Sequence, residues 1–372
     1  MKVKLKLLLL AVCALMLLTQ YACKKDDTNP PTTTCDTVWV RNDIVSATTW
    51  QANKVYIIDA GTTLNIQAQL TIEPGCIIKF ASWYGINVNG SGKINATGTS
   101  TAPIIFTSIK DDSYCGDTNG DGTTTAAAKG DWGGIQIENG VTGNSFVYCK
   151  FFYAGANDPN GGYLHTVIED NANGSTYDHC TFAHTSSPAS VTTGDYGALR
   201  LYGTGTAYVC TNNIFYDNGI PVFVLYADAV SNIDNSNIFH DPANVNTVNK
   251  FQCIKVTDMG TAISGSAEYK VNTIPYFMDV NNLTIASTGS LTIADNAVLK
   301  FDGSSITYYN TSVLNNVNGS SVRLTSLNDD TLGDSNGDGS ATSPANGDWV
   351  GVYLSDITGT WQTWSNIYYD SH

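Results

Sequence analysis

The chain has 372 residues, of which only 14 % are charged, and carries a formal net charge of −15. Such a surface repels nucleic acid and anionic head groups, which excludes both as expected partners. Gly, Asn, Thr and Tyr are abundant and the helix-forming mix of Leu, Ala, Glu, Lys and Arg is missing after the first thirty residues, so the expected fold is all-β, with length enough for a sizeable core.

Residues 1–22 begin with Lys2, Lys4 and Lys6, continue as an apolar run from Leu7 to Leu18, and end at Gln20-Tyr21-Ala22 before Cys23. A basic start, an apolar stretch too short to span a bilayer and a small residue at the cleavage point describe a secretory signal. Its removal takes the mature charge to −18. The segment resembles a bacterial lipoprotein signal, with Gln20 where that family usually has an aliphatic residue. The resemblance implies a lipidated Cys23 as first mature residue. Lys24-Lys25-Asp26-Asp27 resembles the surface-export signal of Bacteroidota lipoproteins, which implies an outer-membrane protein facing the cell exterior and touching the membrane through its lipid alone. Residues 23–34 are then anchor and polar tether, and residues 35–372 the folded part.

A long repeat runs through the folded part. Leu70-Thr71-Ile72 and Ile78-Lys79-Phe80 return as Leu291-Thr292-Ile293 and Leu299-Lys300-Phe301; Thr107-Ser108 returns as Thr325-Ser326; Asp131-Trp132 returns as Asp348-Trp349. Related units are expected at about 55–150 and 271–372. A finer rhythm lies between them: Phe151, Phe182, Phe215 and Phe239 recur at the spacing of solenoid turns, with Cys149 and Cys180, and Asn213 and Asn237, in matching phase. Stacked coils let such asparagines hydrogen-bond along a ladder, and Gly, Asn and Asp are expected at the tight corners that need positive φ. Short strands without helices between them therefore predict a right-handed parallel β-helix.

Leu70 to Phe80, Pro103 to Ser108 and Gly130 to Ile135 resemble right-handed parallel β-helix surface proteins of the Bacteroidota, pectate-lyase-like in architecture. The resemblance spans roughly residues 50–372 and implies a fold, not an activity. At the C-terminal end, either Trp361, Trp364 and the final tyrosines cap the solenoid or the sequence is incomplete. Nine cysteines include Cys13 and Cys23 at the leader; the other seven match no zinc spacing, and they leave a disulfide open without naming a pair.

The strongest chemical motif is Asp-x-Asn-x-Asp-Gly, present twice: Asp117, Asn119 and Asp121, then Asp334, Asn336 and Asp338. Calcium wants six to eight oxygens, and this spacing turns three side-chain oxygens inward. The carbonyls of Thr123 and Ser340 stand at the seventh position. Ala128 and Ala345 replace the twelfth-position Glu of an EF-hand, so the closing carboxylates are expected from Asp131 and Asp348, with Asp111, Asp112, Asp329 and Asp330 completing the shells. Trp132 and Trp349 are expected beneath the loops. Two structural calcium ions follow.

No catalytic residue is assigned. The β-helix is a common host of polysaccharide lyases and hydrolases, so Arg200, Lys250, His165, His179, His184 and His240 are the residues to watch. A lyase on acidic glycans would gather Arg200, Lys250 and a carboxylate in one groove. Twenty tyrosines and seven tryptophans instead favour a non-catalytic surface that binds a polysaccharide or host glycan, or serves adhesion or structure.

Overall fold

The computed structural model describes residues 35–156, 166–172, 174–193, 196–203, 208–330 and 333–372. Apolar and polar residues alternate in strands such as Leu64-Asn65-Ile66 and Ile86-Asn87-Val88, so the first and third side chains turn inward and the middle one outward. Each coil of the first half visits three walls. A ten-stranded sheet takes Leu64–Ile66, Ile86–Val88, Ile135–Ile137, Ile168–Asp170, Leu199–Leu201 and Val222–Val224. A six-stranded sheet takes Gln69–Ile72, Lys93–Thr97, Ser145–Val147 and Thr176–Asp178 among others, and a seven-stranded sheet takes Ile77–Phe80, Ile104–Ser108, Cys149–Phe152, Thr181–Ala183 and Ile214–Tyr216. Successive coils pair in parallel along all three walls. The chain is a right-handed parallel β-helix.

The interior is built of like on like. Phe106, Phe151, Phe182, Phe215 and Phe239 form one continuous stack with ring centroids 4.8–5.6 Å apart. Asn213 donates through Nδ2 to Asn237 Oδ1 at 3.1 Å, and its own Oδ1 accepts from the Cys180 amide. A second ladder, Asn218 to Asn249, occupies the next corner. One acid interrupts the inward apolar row: Asp170, paired in register with Ile137 and Leu201, is fully buried and accepts from the Tyr177 hydroxyl and the Ala172 amide.

Corner chemistry departs from expectation. Besides many glycines, the left-handed positions include Tyr148, His179 and Asn212 (φ 49°, 54° and 57°) on three successive coils, and Tyr153, His184 and Asp217 (φ 63°, 58° and 51°) at the next corner. A side chain there costs about 1–2 kcal/mol. Ring stacking offsets it: Tyr148 lies on His179 at 4.5 Å and Tyr153 on His184 at 5.3 Å.

From Ser266 the ten-stranded sheet runs on through Tyr276–Met278, Val298–Phe301 and Arg323–Ser326, while the other walls become a three-stranded sheet (Ser266–Tyr269, Ser290–Ile293, Val313–Asn315) and a four-stranded one. Here the two repeated units differ in placement. Ile77–Phe80 and Ile104–Ser108 lie on the seven-stranded wall, but their counterparts Val298–Phe301 and Arg323–Ser326 lie on the ten-stranded wall. The second unit has advanced by one face around the solenoid. At the C-terminal end, Gly351–Leu354 pairs antiparallel with Thr360–Trp361, with Trp361 against Tyr353 and His372.

Cys35 and Cys115 form a disulfide that joins the first strand, Asp36–Val40, to the loop after Ser108; their Cα atoms are 5.8 Å apart and 80 residues separate them. Closing a loop that long removes roughly 4 kcal/mol of unfolded-chain entropy. The five remaining cysteines described, Cys76, Cys149, Cys180, Cys210 and Cys253, are buried. Burial pushes the Cys76 thiol up to about 11 and those of Cys210 and Cys253 up to about 12. Of the seven cysteines from Cys35 onward, none should react with a thiol reagent in the native oxidised protein, two after gentle reduction, and all seven after reduction and unfolding. The reduced protein should also melt several degrees lower. Rapid native labelling of more than two thiols would contradict this arrangement.

Candidate functional site

The Asp-x-Asn-x-Asp-Gly loops fold almost identically, 217 residues apart. In the first, Asp117 Oδ1 accepts from the Gly120 amide at 2.7 Å and the Asp121 amide at 3.1 Å, and Oδ2 from the Gly122 amide at 2.7 Å. In the second, Asp334 Oδ1 accepts from Gly337 at 2.6 Å and Asp338 at 3.2 Å, and Oδ2 from Gly339 at 3.0 Å. Asn119 Nδ2 donates to Asp121 Oδ2 at 2.9 Å and Asn336 Nδ2 to Asp338 Oδ2 at 3.1 Å. Gly120, Gly122, Gly337 and Gly339 all have positive φ, which the tight turn requires.

These bonds leave oxygens over. Asp112 Oδ1, Asn119 Oδ1 and Asp121 Oδ1 in the first loop, and both oxygens of Asp330 in the second, are buried without a hydrogen-bond donor. Carboxylate oxygens of Asp330, Asp334 and Asp338 lie within 4.8 Å of one another. Burial, aided by neighbouring aspartates, raises the pKa of Asp112 and of Asp330; Ser340 close to Asp330 opposes the rise without cancelling it. Backbone amides, the Gly122 amide foremost, hold Asp117 below the usual carboxylate range, and the Thr342 hydroxyl does so for Asp338.

Four of the expected carboxylates have other employment. Asp131 Oδ2 accepts from Ser108 Oγ at 2.7 Å and the Ala128 amide at 2.9 Å, and Oδ1 pairs with Lys110. Asp348 Oδ2 likewise accepts from Ser326 Oγ and the Ala345 amide. Asp111 accepts from Thr107 and Ser113, and Asp329 from Thr325 and Arg323. They tie each loop to the strand it leaves. Asp111, Asp131, Asp329 and Asp348 are thereby engaged at the loop base. Thr123 and Ser340 both lie within the loops, Ser340 at φ 71°.

The repeated Lys-Phe and Asp-Trp pairs now have a physical role. Lys79 points outward from its strand, but the first loop lies over it, so it is fully buried and donates to Asp111 O, Gly116 O and Thr118 Oγ1 at 2.9–3.2 Å. Lys300 does the same for the second loop through Gly333 O. Burial lowers the pKa of both lysines, while the loop aspartates oppose the fall. Phe80 stacks on Trp132 at 3.9 Å and Phe301 on Trp349 at 4.5 Å; each indole is buried and donates to a backbone carbonyl, of Phe152 and Tyr368, at 2.7 Å. The repeat contains both lysines but does not reveal their role, because a lysine in a strand ordinarily faces water.

The residues watched for catalysis fall into separate groups: Lys250 shares a cavity with Asp217, the partner of His184, and Arg200 does not line it. Arg200 pairs with Glu169 at 2.9 Å, donates to the Tyr202 hydroxyl and lies over the Tyr202 and Phe223 rings. Lys250 donates to the carbonyls of Pro188 and Ala189 and borders a cavity with Lys129, Asp217, Asp334 and Asp338. His179 and His184 stand at opposite ends of Thr181–Ala183 and pair separately, with Asp178 at 3.0 Å and Asp217 at 2.7 Å; Asp217 also binds Lys129. His240 Nδ1 lies 3.2 Å from the Asp241 carbonyl. His165 and Cys23 lie outside the described residues.

A groove of about 400 Å³ opens on the outer face of the ten-stranded sheet, near its N-terminal end, bordered by Trp83, Tyr84, Asn65, Asn87, Gln136 and Glu169. Its floor is bare backbone: a Cβ on Gly85 would come within 2.1 Å of Gly134 O, and one on Gly134 within 2.5 Å of Thr166 O.

Parallel coils, three walls and inward stacks define the molecule as a parallel β-helix protein. The family described as pectate-lyase like beta helix domain matches residues 42–331, and the chain belongs to it. No curated protein and no solved structure matches the chain.

Proposed function

We propose that this is an exported, lipid-anchored β-helix, held at the outer membrane through Cys23 and facing the exterior, whose two loops each take a structural Ca²⁺ and whose walls bind carbohydrate without cleaving it. The observation that carries the calcium reading is the set of buried oxygens left over when two distant loops repeat the same hydrogen bonds. An all-oxygen donor set suits a hard cation of variable coordination. Asp112, Asp117, Asn119 and Asp121 would hold one ion, and Asp330, Asp334, Asn336 and Asp338 the other, with the Thr123 and Ser340 carbonyls. The ion would tie a long excursion down and relieve repulsion among its carboxylates. The separation of Arg200 from Lys250 supports binding over a lyase reaction on acidic glycans.

Metal analysis of the mature protein after dialysis against micromolar calcium should give two ions per chain, and Asp330→Ala one. Two ions retained by Asp330→Ala would remove the second site as drawn. Incubation with calcium and polygalacturonate should produce no unsaturated product in the ultraviolet; a steady rise would make the protein a lyase.

A further inference from the structure

The two repeated loops are fastened differently. The second is docked through its own turn. The Gln252 amide donates to Asp334 O at 3.0 Å, Ser335 is buried with its Oγ donating to Gln252 O at 3.2 Å, and a Cβ on Gly337 would come within 2.6 Å of the Phe251 ring. The turn of the first loop projects: a Cβ on Gly120, the counterpart of Gly337, would meet nothing within 4 Å. Two residues before Asp117, however, Cys115 is bonded to Cys35, which leads into the first strand, Asp36–Val40. That strand is the edge of the seven-stranded sheet; among the described residues it pairs with Lys54–Ile58 only, and Asp36 and Thr37 are exposed. Beneath this junction lies an outward-facing apolar row. Register aligns Val55, Ile77 and Ile105 on successive coils, and Val55 and Ile57 are fully buried although alternation points them away from the core. Ile109, Ala81 and the two bonded cysteines shield them.

We propose that the Cys35–Cys115 disulfide is a redox latch: a small dithiol reduces it, and the first strand and residues 112–128 then open from the wall while the rest of the solenoid and the second loop stay closed. Two electrons and two protons pass from the dithiol, which closes to a cyclic disulfide, and Cys35 and Cys115 become thiols. Both residues are half-buried and lie at the edge of the sheet, within reach of a small reagent. Two features favour opening. Cys115 (φ 60°) and Gly116 (φ 68°) are successive left-handed residues, a conformation that is costly for a side chain and that the chain is free to leave once the bond is gone. An edge strand with one neighbour frays when its end is untied. Two contacts oppose opening: Lys79 donates to Gly116 O and Thr118 Oγ1, and Tyr114 stacks on Phe152 at 6.0 Å. The latch requires that these two do not hold the loop unaided. It needs neither the calcium nor the carbohydrate reading.

The test is hydrogen exchange read by mass spectrometry on the folded mature protein, either oxidised or treated with dithiothreitol and alkylated, so that the mass counts the released thiols. Chelator is present in both states, so that no cation holds the loop. Amide exchange in Asp36–Val40 and in residues 112–128 should quicken tenfold or more on reduction, while residues 333–347 and the strand Leu199–Leu201 keep their rates. Cys35→Ser should show the quickened exchange without reductant and gain nothing further from it. Unchanged exchange in protein carrying two alkylated thiols would overturn the latch, because Lys79 and Tyr114 would then hold the loop by themselves. A disulfide that resists dithiothreitol in the folded state would overturn it as well. So would exchange quickened evenly along the solenoid, which marks a general brace rather than a latch.

Discussion

Stripping calcium from the folded protein should lower its melting temperature by several degrees, and Asp121→Ala should lower it only when calcium is present. At free calcium one hundred times the dissociation constant, each ion contributes about 2.7 kcal/mol, so two loops together approach about 5 kcal/mol. Without the ion, Asp112 and Asp330 are half-buried beside other carboxylates, and desolvation raises their pKa values. A carboxyl raised in the folded state keeps its proton where the unfolded chain has lost it. The metal-free protein should therefore lose stability as pH climbs from the ordinary Asp range through these raised values. Calcium needs the ionised form, so its stabilising effect should grow over the same rise and be absent near pH 3. Scanning calorimetry with calcium and with chelator, from pH 3 to 7, reads both curves. Equal melting of Asp121→Ala and parent in calcium would sink the idea for the first loop.

Replacing Trp132 by Ala should cost about 3–5 kcal/mol, the usual range for truncating a large buried aromatic. The indole is fully buried, lies 3.9 Å from Phe80, and supplies the donor for Phe152 O. Trp349→Ala should cost about as much, because Trp349 makes the same two contacts with Phe301 and Tyr368 O. Each Trp follows directly on the aspartate tied to its loop's base, so calcium affinity should fall with stability at the corresponding loop and stay unchanged at the other. Urea unfolding and calcium titration of the two variants check both statements. A loss under 1 kcal/mol would show that the indoles are not anchors.

The fold was legible because a solenoid writes its period into the chain. The recurrence of Phe151, Phe182, Phe215 and Phe239 is a stack seen edge-on, and it is found as one. The corners were less legible. Tyr148, His179, Tyr153 and His184 hold left-handed conformations that composition assigns to Gly, Asn and Asp, since stacking with the next coil offsets the local cost. The disulfide was not legible at all, because the pairing of Cys35 with Cys115 depends on where a long loop returns. At the two Asp-x-Asn-x-Asp-Gly loops the motif spacing marked where the chain turns, and both copies fold with the same backbone hydrogen bonds. The partners of its flanks were not legible: Asp131 and Asp348 meet Ser108 and Ser326, which strand register rather than sequence distance brings to them. The groove was invisible for the same reason, since Asn65, Asn87, Gln136 and Glu169 are neighbours only across coils.

The advance of the second unit by one face carries a consequence for how such chains grow. Had the repeated segment depended on a particular wall, its copy would have to arrive in phase with the original. Instead each copy brings its own Lys, Phe, Ser, Asp and Trp, with Ser bonded to Asp and Phe stacked on Trp inside the copy. The segment behaves as a cassette with its own fastenings, tolerant of where around the cylinder it is inserted. A graft of residues 77–135 at a third corner, with both strand ends preserved, should carry its loop geometry along.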